Sequence, residues 1–287
     1  SHTVAAAYIA DISTPQKKAQ NFGLLGAAFG LGFILGPVLG GVLGQYGSRV
    51  PFFAAAILCL LNFTYGYFVI PESLKPALRR PFDWKRANPI GAFIHIKSHP
   101  HVFPLFITIF LINIAANSVQ SIWSYFTMEK FDWNEKMVGL SLGFVGTLLM
   151  IVQAGLIRIA IPKFGLKNAI TIGLILYVCA YSLFGIATQS WMMYAISIFF
   201  VSAGIAGPAI QSYISNHIPQ NEQGQIQGGI TSVISLTSII GPLVMTTLFS
   251  YFSRKDVHPY FPGAPFILSS LLAIIALIIT SIYFKKK

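Results

Sequence analysis

Charged residues are scarce in this chain of 287 residues, because Asp, Glu, Lys and Arg together make up only 9% of it. Soluble domains carry about 25% of these residues, so the shortage argues against a soluble globular protein. Cysteine is also rare, with only Cys59 and Cys179 present, and neither has metal-ligand spacing around it. Both fall inside apolar stretches, where we expect small buried side chains and no disulfide.

Motifs for catalysis and nucleotide binding are missing as well. No glycine-rich loop followed by Lys is present to bind phosphate, and no Ser/His/Asp or Cys/His set follows from spacing. We therefore expect neither an enzyme nor a cofactor, and no metal site. The net charge of +11 does not indicate nucleic acid, because the basic residues lie in short loops and form no patch with interleaved aromatic side chains. The start of the chain lacks the basic region and cleavage site of a signal peptide.

Apolar sequence is abundant: 55% of the residues are hydrophobic and the mean hydropathy is +0.69. A helix needs about 20 mostly apolar residues to cross about 30 Å of hydrocarbon. The sequence therefore predicts an all-α membrane protein with a partial helix over 1–10 and eight full transmembrane helices. These eight are predicted at 22–46, 50–70, 102–126, 137–161, 168–187, 191–213, 227–252 and 262–284.

The most unusual stretch is Gly26–Gly44, which contains Pro37 and glycines at positions 26, 30, 32, 36, 40, 41 and 44. In a water-exposed helix each glycine would cost about 0.8–1 kcal/mol and the proline about 3 kcal/mol relative to alanine. In a bilayer, neighbouring helices can satisfy the backbone groups that a proline leaves free. The four-residue spacing from Gly32 to Gly44, with Gly26 and Gly30 on the same broad side, predicts one smooth face for close helix packing or sliding.

The distribution of Lys and Arg predicts the orientation in the membrane. If the basic end Lys285–Lys287 is cytoplasmic, alternating loops place fourteen of the nineteen Lys and Arg residues on the cytoplasmic side. We therefore expect a multi-pass protein of the plasma membrane, the inner membrane in bacteria, with a cytoplasmic C-terminus and the lipid bilayer as a partner.

An internal repeat predicts the domain organisation. An offset of 205 residues aligns Gly36-Pro37 with Gly241-Pro242, and also Gln20 with Gln225. Six predicted helices separate the two copies, which indicates two six-helix halves in parallel repeat. The domains are then a remnant of an N-terminal half at 1–70, a Pro-rich and basic cytoplasmic linker at 71–101, and a complete C-terminal half at 102–287. We expect about three and a half further N-terminal helices to precede this sequence and to act as its partners.

These features resemble the major facilitator superfamily, and more narrowly its tetracycline-resistance branch of drug–proton antiporters. The stretch Gly32–Gly41 resembles the glycine-proline motif of the fifth helix in those antiporters. Further matching stretches are Ala7–Ile12, Val50–Ala56 followed by Pro71–Ser73, Gly207–Gln211, and Gln223–Gly228 running into Leu236–Pro242. The resemblance implies two six-helix bundles that rock around a central cavity and expose a small-molecule substrate to each side in turn.

One position departs from that branch. Its tetracycline pumps share Gly173 and Tyr181 with this chain but carry an acidic residue where Tyr177 stands here. No Asp or Glu lies inside any full predicted helix, although proton coupling usually uses an intramembrane carboxylate. We predict a proton-driven exporter of a drug-like or amphipathic molecule, with the coupling acid in the preceding helices. The alternatives are a facilitative or nutrient-type carrier of the same fold and a gene fragment that transports nothing.

Candidate substrate-binding residues lie on several helices. Asn113, Asn117 and Gln120 form a polar stripe with Trp123 nearby, which indicates either a cavity lining or hydrogen bonds between helices. Second candidates are Gln153, Tyr177, Tyr181 and Gln211, each of which also fits a packing role. The resemblance adds antiporter-motif and gating residues: Gly32, Gly36, Pro37, Gly40, Gly41, Asp11, Gln223, Gln225, Gly241 and Pro242. For Asp11, Gln223 and Gln225 the simpler explanation is helix capping and solvation.

Overall fold

The computed structural model describes residues 2–44, 46–47, 49–73, 102–254 and 259–285, and these residues form helices joined by turns and short loops, without a strand. The helices are α1 (His2–Ile12), α2 (Lys18–Gly44), α3 (Val50–Val69), α4 (Phe103–Phe131), α5 (Glu135–Ile151), a π-helical segment (Val152–Leu156), α6 (Ile157–Ile186), α7 (Ser190–Ala203), α8 (Ala206–Asn216), a 3-10 turn (Gln220–Glu222), α9 (Gln223–Phe252) and α10 (Ala264–Lys285).

The predicted class, an all-α membrane protein, is confirmed. Within the described ranges, six segments are long and apolar enough to cross a membrane, and α5 contributes a shorter apolar helix over Met137–Ile151. The six are α3, α4, α6, α7 together with α8, α9 and α10. The finer count of eight full crossings plus a partial one stays a prediction. So do the three domains, since 74–101 lies outside the described residues.

Two of the predicted helices are interrupted in ways that hydropathy did not predict. The segment predicted at 137–161 consists of α5, the π-helical segment and the first residues of α6. Within α6, Gly165 has φ 75° and ψ 166°, a conformation that favours glycine. Gly165 therefore divides α6 into a short first part, which completes the segment predicted at 137–161, and a longer second part. The segment predicted at 191–213 is broken at Gly204 and Ile205, which lie between α7 and α8.

The core lies between the helices that follow residue 102. Helix α10 packs against α4 and α6, and α9 packs against α4. One apolar cluster, which includes Leu105, Ile157 and Ile214, surrounds the start of α4 and the end of α8. A second cluster, which includes Phe126 and Phe266, fills the space near the end of α4 and the start of α10. Both clusters are continuous with partly buried aromatic side chains, so the group α4–α10 has its own packed interior.

The expectation that both cysteines are buried is wrong. Cys59 and Cys179 are exposed and lie on the outer sides of α3 and α6. Helix α3 has no buried residue at all among its described side chains. An exposed thiol is compatible with a membrane-spanning helix, because cysteine behaves as a small apolar side chain and tolerates contact with lipid.

Helices α1 and α2 dock onto the later helices along one side. Helix α2 contacts α5, the π-helical segment and α8, whereas α1 contacts α9. Close contact along α2 brings residues from the beginning of the chain against residues more than one hundred positions later. Among the candidate functional residues, Gln153 and Gln223 lie at this junction between α1–α2 and α5–α9.

Candidate functional site

Three glycines of α2 form the junction with the interrupted helix. A Cβ atom built on Gly23 would lie 2.9 Å from the backbone oxygen of Gln153, and one on Gly26 would lie 2.6 Å from the Cδ atom of the same residue. A Cβ atom on Gly30 would lie 3.3 Å from the backbone oxygen of Gly146. At Gly23 and Gly30 these neighbouring atoms belong to the facing backbone, and glycine permits this close approach, whereas Gly26 faces the side chain of Gln153. We call Gly23, Gly26 and Gly30 the glycine contact.

Gly32 and Gly36 do not share that contact, and the predicted packing face that includes them stays a prediction. Among the described residues, nothing lies within 4 Å of a Cβ atom built on Gly32 or Gly36, and both glycines are exposed. The reason is geometric: residues of a helix are about 100° apart, so Gly32 and Gly36 lie on a different side from Gly26 and Gly30. The surroundings of Pro37, Gly40 and Gly41 lie outside the described side chains.

A hydrogen-bonded network joins the start of α2 to α8 and α9. The ammonium group of Lys18 donates to the hydroxyl oxygen of Ser215 at 3.2 Å, and that hydroxyl donates to Oε1 of Gln223 at 2.6 Å. The Nε2 atom of Gln223 donates in turn to the backbone oxygens of Ser215 at 2.8 Å and Ile218 at 3.0 Å. Lys18 is only 7% exposed, so this is a buried amine held mainly by neutral groups.

Electrostatics at Lys18 follow from that burial. Desolvation lowers the pKa of the Lys18 ammonium group below its usual value, and the carboxylate of Asp11 offsets part of this shift. Asp11 accepts a hydrogen bond from the Ser73 hydroxyl at 2.9 Å through Oδ2, whereas its buried Oδ1 atom has no partner among the described residues. Gln225 is half-buried and, two residues beyond Gln223, lies on another side of α9.

The amide stripe of α4 is divided between different environments. Asn113 donates through Nδ2 to the backbone oxygen of Ile109 at 2.8 Å and is half-buried, while Gln120 is exposed. Asn117 is 6% exposed and donates to the backbone oxygens of Asn113 at 2.8 Å and Thr237 at 3.3 Å. The structure thus places Asn117 in the contact between α4 and α9.

The second glycine-proline pair lies opposite Asn117. A Cβ atom built on Gly241 would lie 2.5 Å from both Cγ and Nδ2 of Asn117, so this glycine is required by the close approach. Gly241 is buried and Pro242 is half-buried. Gly241, the first residue of this pair, therefore belongs to the α4–α9 packing.

The aromatic candidates lie in the second apolar cluster. Trp123 is 3% exposed and donates through Nε1 to the Ser141 hydroxyl at 2.9 Å, which ties α4 to α5. Tyr177 and Tyr181 stack with ring centroids 5.7 Å apart and an interplanar angle of 14°, and Phe200 packs edgewise against both. Tyr181 is fully buried, and its hydroxyl has no hydrogen-bond partner in the described part of the chain.

Two further candidates lie near the helix interruptions. Gln153 is in the π-helical segment, is 7% exposed and points its carboxamide toward Gly204, at the break between α7 and α8. Gln211 is half-buried on α8. The structure thus brings Gln153 to the glycine contact and Gln223 to the Lys18 network. Asn117, Trp123 and Tyr181 lie inside the packed interior.

Sequence reasoning missed two participants, Lys18 and Ser215. Lys18 follows Lys17 in a short polar segment, and such a pair is typical of a solvated basic loop. Ser215 is one of many serines in an apolar helix. Neither residue carries a signal in the sequence, because their pairing depends on the way α2 docks against α8.

Comparison with known proteins gives consistent results. The family model of the Major Facilitator Superfamily matches residues 1–242 and 163–287. The chain is 38% identical over 247 residues to the class C tetracycline resistance protein of Escherichia coli, covering 86% of this chain and 62% of that protein. It is 30% identical over 288 residues to the class H protein of Pasteurella multocida, covering 99% of this chain and 69% of that protein.

A solved structure shares the fold. The human organic anion transporter MFSD10 (TETRAN) superposes with a TM-score of 0.84 at 20% sequence identity, over 97% of this chain and 67% of that one. The helix arrangement described above is therefore the arrangement of a known group of membrane proteins.

Proposed function

This chain belongs to the major facilitator superfamily, and from that premise we propose that the protein is a secondary transporter that exports a drug-like or amphipathic small molecule. Its energy source is the proton gradient across the bacterial inner membrane. The chain is similar to several tetracycline resistance proteins, and this similarity supports export of a small molecule by alternating access.

The observation that carries the proposal is the unequal closure between α2 and α5. The helices run antiparallel, because Gly23 lies against Gln153 whereas Gly30 lies against Gly146. Gly146 is buried, but Gly139, two turns earlier on the same face of α5, is exposed, and a Cβ atom built on it would meet nothing within 4 Å among the described residues. Two helix groups that touch at one end and separate at the other have the geometry of one state in alternating access.

The closed end carries the Lys18 network as well as the glycine contact. With the orientation predicted from the Lys and Arg distribution, this end faces the cytoplasm and the open end faces outward. Asp11, Gln223 and Gln225 then lie at the cytoplasmic closure. The hydrogen bonds of Gln223 support this role, since they fix the end of α8 that receives Lys18.

Substrate contacts come from the less buried candidates, namely Asn113, Gln120, Tyr177 and Gln211. Each is half-buried or exposed, so its polar group can reach a ligand without unfolding the interior. Aromatic rings with a polar tip suit a planar amphipathic molecule. Asn117, Trp123 and Tyr181 shape the site from behind, because their side chains are buried in helix contacts.

Proton coupling requires a group that binds and releases a proton within the membrane. Every Asp and Glu among the described residues lies in a loop or near a helix end, and Glu129 in the last turn of α4 is exposed. The coupling carboxylate therefore comes from a part of the transporter outside these residues.

An accumulation assay tests the proposal. The complete gene product is expressed in bacteria that lack their own efflux pumps, and uptake of tetracycline and of a fluorescent dye is followed with and without a protonophore. Lower accumulation than in vector controls, abolished by the protonophore, is the expected result. Export that survives collapse of the proton gradient would replace the antiporter with a facilitative carrier. Unchanged accumulation of every probe would overturn export itself.

A fusion experiment tests the orientation separately. A fluorescent protein attached after Lys287 should fluoresce, whereas alkaline phosphatase at the same position should remain inactive, because the C-terminus is cytoplasmic. The reverse pattern would place the closed end of the junction outside the cell.

A further inference from the structure

The carboxamide of Gln153 lies where three elements of the chain meet. Its Nε2 atom is 3.5 Å from the backbone oxygen of Gly204, in the break between α7 and α8. Its Oε1 atom is buried and has no hydrogen-bond partner among the described residues. The residue itself belongs to the π-helical segment between α5 and α6. One side chain therefore connects two helix interruptions that lie in different membrane-crossing segments.

The third element at this meeting point is α2, whose Gly26 lies against the carboxamide of Gln153. A Cβ atom on Gly26 would lie 2.6 Å from Cδ and 2.8 Å from Oε1 of Gln153, distances at which atoms must move apart. Because Gly26 has no side chain, the carboxamide can occupy this position, and a Cβ atom at Gly26 would displace it. With α2 in this position Oε1 is buried, and a movement of α2 off this surface would expose the oxygen to water.

Both interruptions are local departures from regular helix geometry. A π turn inserts one extra residue into a helix, and such turns are frequent at functional sites. At the other interruption, the backbone nitrogens of Gly204 and Ile205 donate to residues three positions earlier, at 2.9 and 3.3 Å, as in a tightened last turn. Helix kinks are found at π turns and at other interruptions of the regular hydrogen-bond pattern.

We propose that Gln153 is a positioning residue of the transport cycle, which couples the docking of α2 to the bend between α7 and α8. This rests on the proposed alternating-access function. When Gly26 docks, the amide is held against Gly204 and the bend is fixed. A buried amide oxygen without a donor is unfavourable, so the docked state carries a built-in penalty that is relieved when α2 leaves. Gln153 in this way keeps the closed end from becoming too stable to reopen.

The test is a double-mutant cycle on the complete transporter. Gly26→Ala places a methyl group into the carboxamide, and Gln153→Ala removes the atoms it meets. We expect Gly26→Ala to lower the maximal export rate about tenfold, and Gly26→Ala with Gln153→Ala to return to within about twofold of Gln153→Ala alone. KM stays unchanged throughout, because no substrate contact is altered. Gly143→Ala on α5 is the matched control and should be neutral, since Gly143 is exposed and nothing among the described residues lies within 4 Å of a Cβ atom built there.

A distance measurement tests the same coupling without a transport assay. Spin labels at Leu35→Cys and Leu142→Cys, both exposed positions on α2 and α5, are introduced after Cys59→Ser and Cys179→Ser. Gly26→Ala should shift the distance distribution, and adding Gln153→Ala should restore it. If the transporter exports no probe yet the distances shift and recover, the proposed function fails while the coupling stands.

Three results would overturn the coupling. The first is a double variant whose maximal export rate and spin-label distance distribution both equal those of Gly26→Ala. The second is an unchanged maximal export rate in Gln153→Leu, a variant that keeps the side-chain volume but removes the unpaired amide oxygen. A Gln153→Ala variant with a raised KM and a normal maximal rate would identify a substrate ligand instead.

Discussion

The ammonium nitrogen of Lys18 lies 3.2 Å from the hydroxyl oxygen of Ser215, although the two residues are 197 positions apart in the chain. Lys18 begins α2 and Ser215 is near the end of α8, so this bond joins the early helices to the later group. It lies at the same end of α2 as the glycine contact. The closed end is therefore stabilised both by the Lys18–Ser215 hydrogen bond and by the close packing at the glycine contact, and the two can be tested independently.

Replacing Lys18 should weaken the closed end without disturbing the interior. A hydrogen bond to a charged group contributes about 1.5–3 kcal/mol, so Lys18→Ala should shift the balance toward the open form by about tenfold or more. Ser215 and Gln223 keep their own hydrogen bonds in this variant. The measurement is the rate at which a water-soluble maleimide labels Ala19→Cys, a buried position next to Lys18, in inverted membrane vesicles after Cys59→Ser and Cys179→Ser.

Lys17→Ala is the matched control for this experiment. Lys17 is exposed and adjacent, so its replacement removes the same charge without removing the contact to Ser215. Equal labelling rates in Lys18→Ala and Lys17→Ala would mean that surface charge, and not the Lys18 contact, controls the closed end.

The lowered pKa of Lys18 gives a pH dependence of stability. At pH values below the lowered pKa, Lys18 is protonated in both the folded and the unfolded protein, and the full penalty of burying the charge applies. Between that pKa and the usual value of 10.5, the folded protein binds fewer protons, so the free energy of unfolding rises with pH. Lys18→Met should remove this contribution. The check is the difference in melting temperature between wild type and Lys18→Met, followed from about pH 8 to about pH 10. A constant difference would contradict the shift.

How much the sequence could predict is clear from the glycine-rich helix. Composition alone indicated that Gly26–Gly44 belongs in a membrane, and α2 spans Lys18–Gly44. The side of the helix that makes contact could not be predicted, because glycines lie all around it and only the partner selects Gly23, Gly26 and Gly30. Hydropathy predicted the apolar segments after residue 102 closely. It missed the π-helical segment and the break at Gly204, since neither interruption changes the apolar character of its segment.

The amide stripe of α4 shows a second limit. Spacing placed Asn113, Asn117 and Gln120 near one another on the helix, but spacing does not say which neighbour covers each one. Asn117 faces Gly241 and the backbone oxygen of Thr237, whereas Gln120 is exposed. The repeat had marked Gly241 as important without indicating its partner.

Asn117 and Gln120 should consequently respond differently to the same substitution. Asn117→Leu removes two hydrogen bonds in a helix contact and should lower the melting temperature, with a loss of about 0.6–1.7 kcal/mol for the interhelical bond and KM unchanged. Gln120→Leu should leave the melting temperature unchanged and raise KM, because an exposed amide is free to contact substrate. Both quantities are measured on the purified transporter and in vesicles. A raised KM for Asn117→Leu at normal stability would instead place Asn117 in the substrate path.

Tyr181→Phe should stabilise the protein. The Tyr181 ring is fully buried against Tyr177 and Phe200, and its hydroxyl has no hydrogen-bond partner among the described residues. A buried polar group without a partner is unfavourable by about 1–3 kcal/mol, and Phe keeps the ring stacking while removing the oxygen. The melting temperature should therefore rise in Tyr181→Phe, with export and KM unchanged. Tyr177→Phe is the control, since Tyr177 is only half-buried and its ring makes the same stacking contact. A lower melting temperature in Tyr181→Phe would reveal a partner for the hydroxyl, and a raised KM would assign that partner to the substrate.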